Sequence, residues 1–254
     1  ARRLTVNAGL RWDYEDAPGF SHNLDNVAPR LGVAFTPGDE GGTTFRANYG
    51  VFYDQALFII STNALRASTV SQTLFSNPGY PDPYGFNPRR SDAINVAIPS
   101  TTLLAPNMAT PVTTQATAGI RHMHGRFALT IDGVWVRGRH LLRSFDLTYP
   151  DLDSASRPRP NPAFQRILVR ESKGRSWYRG LQVGLRKRHA AKYSYAVAYT
   201  LSSVERDSED FDFLPADQRD YAAERGPASS DARHRLAAST NLDLPIGLRL
   251  ATLM

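Results

Sequence analysis

Strict alternation of apolar and polar residues constrains this chain more than any other feature. From Leu4 to Tyr14 the order is Leu-Thr-Val-Asn-Ala-Gly-Leu-Arg-Trp-Asp-Tyr, with every even position apolar and every odd one polar or glycine. Side chains of a strand point to opposite faces in turn, so such a segment has one oily face and one wet face. A tilted strand needs about 9–11 residues to cross a bilayer, whereas strands of soluble proteins run to about 5–6. The length and the pattern together predict a transmembrane β-strand, with lipid on one face and a lumen on the other.

The pattern recurs. Leu31, Val33 and Phe35 alternate with small or polar neighbours, a turn-rich Pro37–Gly42 follows, and Phe45, Ala47, Tyr49, Val51 and Tyr53 continue, so 29–36 and 43–53 form a hairpin. Weaker alternation over 112–122 precedes a turn near His124-Gly125. Phe127, Leu129, Ile131 and Trp135 then form one face, opposite Ala128, Thr130, Asp132, Val134 and Val136. Further alternating runs cover 177–188, 193–202 and 235–244, and Pro245–Gly247 turns into a last, incomplete strand. The expected fold is all-β: an antiparallel up-and-down transmembrane barrel, present in part, with about 8–10 strands.

Loop lengths give an orientation. The connections alternate between short (37–42, 123–125, 190–192, 245–247) and long (15–28, 54–111, 138–175, 204–233). Outer-membrane barrels have short periplasmic turns and long extracellular loops. With the long loops outside, Trp12, Tyr14, Tyr53, Trp135 and Trp177 gather at the outer rim, and Phe35, Phe45, Phe127, Tyr193 and Tyr195 at the inner rim. Aromatic rings favour headgroup level because they pair an apolar body with, in Tyr and Trp, a polar tip, so these ten are the expected membrane-interface residues. Arg11, Asp13, Arg46, Asn48, Asp132 and Gln182 fall on the other face and are expected to point into the lumen.

Composition closes off several other classes. Among 254 residues there is no apolar run of about 18, which argues against a membrane-spanning helix. Cysteine is absent, so no disulfide frame or thiol chemistry exists. The net charge of +6 is scattered along strands rather than gathered into a stripe, which fits anionic headgroups better than nucleic acid. No Gly-x-Ser-x-Gly elbow, phosphate loop or dinucleotide fingerprint occurs, so neither an enzyme nor a cofactor is expected. The chain has no initiating Met and no signal-peptide core, and both ends look cut, so it reads as a piece of a longer protein.

Several segments resemble a known family. They are Leu4–Tyr14, Asn26–Phe35, Phe45–Asp54, Val136–Arg143, Ser176–Arg188, Tyr195–Ser202 and Ala223–Arg235. In that order they are similar to the barrel of TonB-dependent receptors, most closely the Oar-like subgroup. The resemblance implies a barrel of about 22 strands in the bacterial outer membrane, closed by an N-terminal plug. It also implies import of a scarce small-molecule, glycan or peptide substrate with energy relayed through TonB. Plug and TonB-contacting segments have no counterpart in this sequence, so the expected partners are outer-membrane lipid, the plug and TonB in the full-length protein, and the imported substrate, with no nucleic acid. A stand-alone small barrel (pore, adhesin or structural protein) is the alternative, and a soluble β-rich binding module is the third reading.

Three smaller features have simpler readings. The acidic stretch Glu205–Asp220 could hold Ca²⁺, but its spacing lacks the turn glycine of an EF-hand, and a solvated outside loop explains it. His122 and His124 share a face without a third ligand nearby. Loop 54–111 is stiffened by Pro78, Pro81, Pro83 and Pro88 beside Tyr80, Tyr84 and Phe86, where aromatic loop residues could touch a ligand.

Overall fold

The structure, a computed structural model, describes residues 3–16, 24–38, 42–55, 73–75, 93–96, 98–106, 108–150, 153–156, 158–190 and 192–254. The proline- and aromatic-bearing part of loop 54–111 lies outside the described residues, as do 39–41 of the first turn and Ala191 of the third.

Within the described residues the strands are β1 (Leu4–Trp12), β2 (Val27–Phe35), β3 (Thr43–Tyr53), β4 (Thr73–Phe75), β5 (Ala93–Val96), β6 (Ser100–Leu104) and β7 (Val112–His124). They continue with β8 (Phe127–Asp146), β9 (Arg166–Ala190), β10 (Tyr193–Arg206), β11 (Gly226–Pro227), β12 (His234–Asp243) and β13 (Arg249–Leu253). One antiparallel path runs β1-β2-β3-β7-β8-β9-β10-β12-β13. Its nine members are the eight alternating segments and the final partial one read from the sequence. β4 and β5 form a separate small pair, β11 pairs β10, and β6 lies parallel to β9.

Short turns close one end of the sheet. His124 pairs Phe127, leaving Gly125 and Arg126 as a two-residue hairpin loop, with Gly125 at φ 55°. That left-handed backbone matches the twist of the flanking strands and suits glycine. Opposite, β8 and β9 run on far past the expected ends. The span 138–175, read as loop, is strand up to Asp146 and again from Arg166, with register shifts between Gly138 and Arg143 and His140 at φ 55°. The physical reason is that no lipid imposes alternation there, so Gly-Arg-His-Leu-Leu-Arg-Ser-Phe-Asp carries no period-two signal. A second correction is at β1, which ends at Trp12 and leaves Asp13 and Tyr14 just beyond it.

The register lines the apolar residues up. Leu4, Phe35, Phe45, Ile120, Ile131, Val183, Tyr199 and Leu236 are successive cross-strand partners over eight strands. Among the described residues nothing covers this belt: Val6 is 56% exposed, Leu10 74%, Leu129 39% and Val197 37%. Apart from Lys187 beside the 190–192 turn, the buried side chains among the described residues lie instead toward the long-loop end. Met108, Val112, Ile167, Val169 and Ala228 pack there with Asn26, Thr110, Ser144, Asp146, Thr148, Arg170 and Glu171. A water-soluble sheet would bury its apolar face against a second layer, and this one leaves it open, as a lipid-facing wall does.

Candidate functional site: the polar face of the sheet

A single residue step from the apolar belt reaches the opposite face. Thr5, Ala34, Arg46, Gly119, Asp132, Gln182, Thr200 and Arg235 are cross-strand partners there, forming a polar row. Three residues expected in the lumen, Arg46, Asp132 and Gln182, therefore stand in one line. Arg46 on β3 reaches over β7 to Asp132 on β8, donating Nε–H to Oδ1 at 2.9 Å and Nη2–H to Oδ2 at 2.5 Å. This is the two-pronged pairing that guanidinium and carboxylate favour. The strand between them supplies Gly119, where a Cβ would sit 1.9 Å from Asp132 Oδ1 and 2.5 Å from the Ile131 carbonyl oxygen. Only a residue without a side chain lets the clasp pass over.

A second row holds Asn7, Gly32, Asn48, Thr117, Val134, Gly180 and Ser202. Asn48 donates Nδ2–H to Thr117 Oγ1 at 3.1 Å. Nearby the Arg30 guanidinium lies 4.7 Å from the centre of the Phe52 ring. Asn7, Arg30, Asn48, Phe52, Gln115 and Thr117 contribute to a hollow of about 430 Å³. Arg11 sits apart from this group, its Nε donating to Asp13 at 2.6 Å. Alternation located Arg46, Asn48 and Asp132, but gave no sign of Gly119 as the gap in the clasp or of the Arg30–Phe52 stack. Both depend on which residues become cross-strand neighbours.

Of the ten aromatics expected at the interface, all but Tyr14, which lies just beyond β1, take register positions of the apolar face. Phe35 and Phe45 pair directly, Phe127 and Trp135 stand on β8, Tyr53 ends β3, and Trp177 and Tyr195 have the outward-row partners Arg137 and Lys187. Trp12, Tyr14, Phe35, Phe45, Phe127, Trp135 and Tyr193 are exposed, while Tyr53, Trp177 and Tyr195 are partly covered. The Arg225 guanidinium lies 4.2 Å from the centre of the Trp177 ring, and Lys187 Nζ sits 3.1 Å from that of Tyr193.

At the long-loop end the acidic stretch is consumed by other partners. Glu205 accepts from Arg225 at 2.7 and 2.9 Å, Asp207 from the Arg175 backbone N–H at 2.7 Å, and Asp212 from Arg170 at 2.6 Å. Asp217 and Asp220 accept from Arg219 and from the Ala222 and Ala223 amides. Among the described residues no three His, Asp or Glu side chains converge on a point. His122 instead shares a hydrogen bond of 2.8 Å with Thr43. The same end holds Arg143, paired with buried Glu171 at 2.7 Å and stacked 3.7 Å from the centre of the Tyr221 ring. Tyr221 donates its O–H to the Ser144 carbonyl at 2.8 Å. Burial pushes the Tyr221 phenol up to about 12, with Arg143 opposing and Glu171 and Glu224 adding to the rise.

A family profile described as an outer membrane beta barrel domain matches residues 15–253. The chain belongs to the outer membrane β-barrel domain family. This places it in the bacterial outer membrane, and the solved structures it resembles agree on the fold. The outer membrane transporter YddB from Escherichia coli matches with a TM-score of 0.65 at 12% identity, over 99% of this chain and 31% of that one. The FrpB iron transporter from Neisseria meningitidis matches with a TM-score of 0.56 at 14% identity, over 99% of this chain and 30% of that one. The siderophore receptor PirA from Pseudomonas aeruginosa matches with a TM-score of 0.55 at 12% identity, over 100% of this chain and 36% of that one. This outer membrane β-barrel chain thus spans about a third of the transporters and receptors it resembles. No curated protein matches it. The sequence resemblance to TonB-dependent receptors and the structural likeness point to the same type of wall.

Proposed function

We propose that this chain is the wall section of a TonB-dependent receptor, in which a plugged barrel imports a scarce substrate. The observation that carries the reading is the opposition of two register-aligned rows, apolar on one face and polar on the other, over eight strands of the nine-strand antiparallel path. In this reading the ten aromatics mark the two headgroup levels, and Arg11, Asp13, Arg46, Asn48, Asp132 and Gln182 face the plug or the substrate path. The Arg46–Asp132 clasp ties three adjacent strands from inside, which stiffens the wall against which a plug must slide. No covalent chemistry is assigned to the chain, since the relatives are transporters and receptors.

Single cysteines at Asn48 and Gln182 test this in the full-length product of the gene, because the chain has none of its own. A membrane-impermeant maleimide should label them slowly in the intact protein and fast once the segment upstream of the barrel is deleted. Equal labelling rates in both forms would reject the plugged receptor in favour of a stand-alone open barrel.

A further inference from the structure

The hollow of about 430 Å³ on the polar face is a recess opened by glycines. Gly9, Arg30, Gly50 and Gln115 form one register row across β1, β2, β3 and β7, beside the row of Asn7, Gly32, Asn48 and Thr117. Gly9, Gly32 and Gly50 put no side chain into it. Gly9 has open space where its Cβ would stand, and a Cβ at Gly50 would meet the Phe52 ring at 2.8 Å. The ring therefore lies down over Gly50, and the Arg30 guanidinium lies over the same ring, 4.7 Å from its centre. Stacking on an aromatic face holds a guanidinium in place and leaves its N–H fork free to bond in its own plane.

Charge selects the ligand. Among the described residues the hollow is lined by a single cation, Arg30, and by no carboxylate. Among them the Arg30 guanidinium has no acidic partner, and the side-chain amides of Asn7 and Gln115 have no hydrogen-bond partner. Elsewhere on this face Asp132 is taken up by Arg46, and Asp13 just beyond β1 by Arg11. Arg121, Arg186 and Arg235 stand on the same face with no carboxylate partner among the described residues. The field in front of the sheet is positive and disfavours cations. A lone guanidinium fork matches one carboxylate, two N–H groups to two oxygens, whereas a phosphate dianion would keep unbalanced charge. The amides of Asn7 and Gln115 can serve polar atoms beside that carboxylate.

We propose that this hollow is a carboxylate-binding subsite on the wall, anchored by Arg30, between the levels of Phe35 and Tyr53 and away from the long loops. It rests on the reading of the polar face as lumen. The carboxylate belongs to a substrate passing along the wall or to an acidic side chain of the segment upstream of the barrel. The test uses the full-length gene product with Asn48→Cys, folded into lipid vesicles, and follows modification of the new thiol by methyl methanethiosulfonate, a neutral water-soluble reagent. Acetate is compared with acetamide, its neutral isostere, at constant ionic strength. Acetate should slow modification about threefold or more, acetamide should not, and Arg30→Gln should abolish the difference while Arg30→Lys keeps part of it. That result assigns the subsite to a free carboxylate. Where an upstream acidic side chain already fills it, acetate has no effect, and Arg30→Gln accelerates modification while Arg30→Lys does not. Equal protection by acetate and acetamide overturns the proposal, as does acetate protection that survives in Arg30→Gln, or a rate that neither acetate nor Arg30→Gln alters. Heat-modifiable migration on gels checks folding. If the Arg30 variants do not fold, the acetate–acetamide comparison decides alone, and no difference between the two overturns the proposal. Modification by a lipid-dissolved maleimide but not by the aqueous reagent overturns the lumen reading itself, and the subsite with it.

Discussion

At the scale of single residues, the polar face shows how a sheet is braced across three strands. Arg46 and Asp132 meet across β7, with side chains 38% and 16% exposed. Water screens such a pair in part, so its coupling should be about 1 kcal/mol, read from a double-mutant cycle of Arg46→Ala and Asp132→Ala in urea refolding into lipid vesicles. Strict additivity of the two substitutions would show that the clasp contributes nothing. Gly119→Ala should reproduce most of the loss without touching either charge, because its Cβ cannot coexist with Asp132 Oδ1. Tyr221 makes the second residue-scale prediction. Its phenol titrates at about 12 in the folded loop, above the ordinary value near 10. The folded state therefore favours the neutral form. Loop stability from this group is complete below about pH 10 and is lost as pH rises through about 12. Tyrosinate absorbance of wild type minus Tyr221→Phe should show this late ionisation, and a difference titrating near 10 would contradict the burial of the Tyr221 phenol in the folded loop.

At the scale of elements, what decides legibility is whether lipid touches the strand. Inside the bilayer each strand must alternate, since one face meets hydrocarbon and the other water. Leu4–Trp12, Thr43–Tyr53 and Tyr193–Leu201 could therefore be read directly. Above the bilayer that demand disappears. The extensions of β8 and β9 pair with each other, with β6 and with the loop after β10, and are held by Arg170–Asp212, Arg143–Glu171 and the Ile167 amide donating to Asp146. Those contacts join residues far apart in the chain, and nothing local in the sequence announces them. The polar row was readable as a face but not as a clasp, because facing a lumen is a property of one strand and clasping is a property of three. The same logic predicts the cost of a charge on the oily face. Ile131→Lys or Val197→Lys should destabilise the membrane-folded state by about 2–4 kcal/mol, whereas Thr130→Lys on the other face should cost little. Equal losses at Ile131 and Thr130 would mean that the two faces are not different solvents.

At the scale of the whole molecule, the sheet has two terminal strands: among the described residues β1 bonds only to β2 and β13 only to β12. Open edges are templates for further pairing, and hydrocarbon cannot satisfy them. Expressed by itself, this chain should associate into oligomers or aggregates in detergent-free buffer, and sedimentation as a single monomeric species would contradict that. The claim beneath the whole account is that one face of this sheet touches lipid and the other touches a lumen. The most direct test scans single spin labels through β10, at each position from Tyr195 to Ser202, in protein folded into vesicles. The account predicts a period of two, with oxygen-rich lipid contact at Tyr195, Val197, Tyr199 and Leu201 and aqueous contact at Ala196, Ala198, Thr200 and Ser202. Low accessibility to both oxygen and a water-soluble relaxation reagent at Val197 and Tyr199 would place them in a packed protein interior and contradict the account.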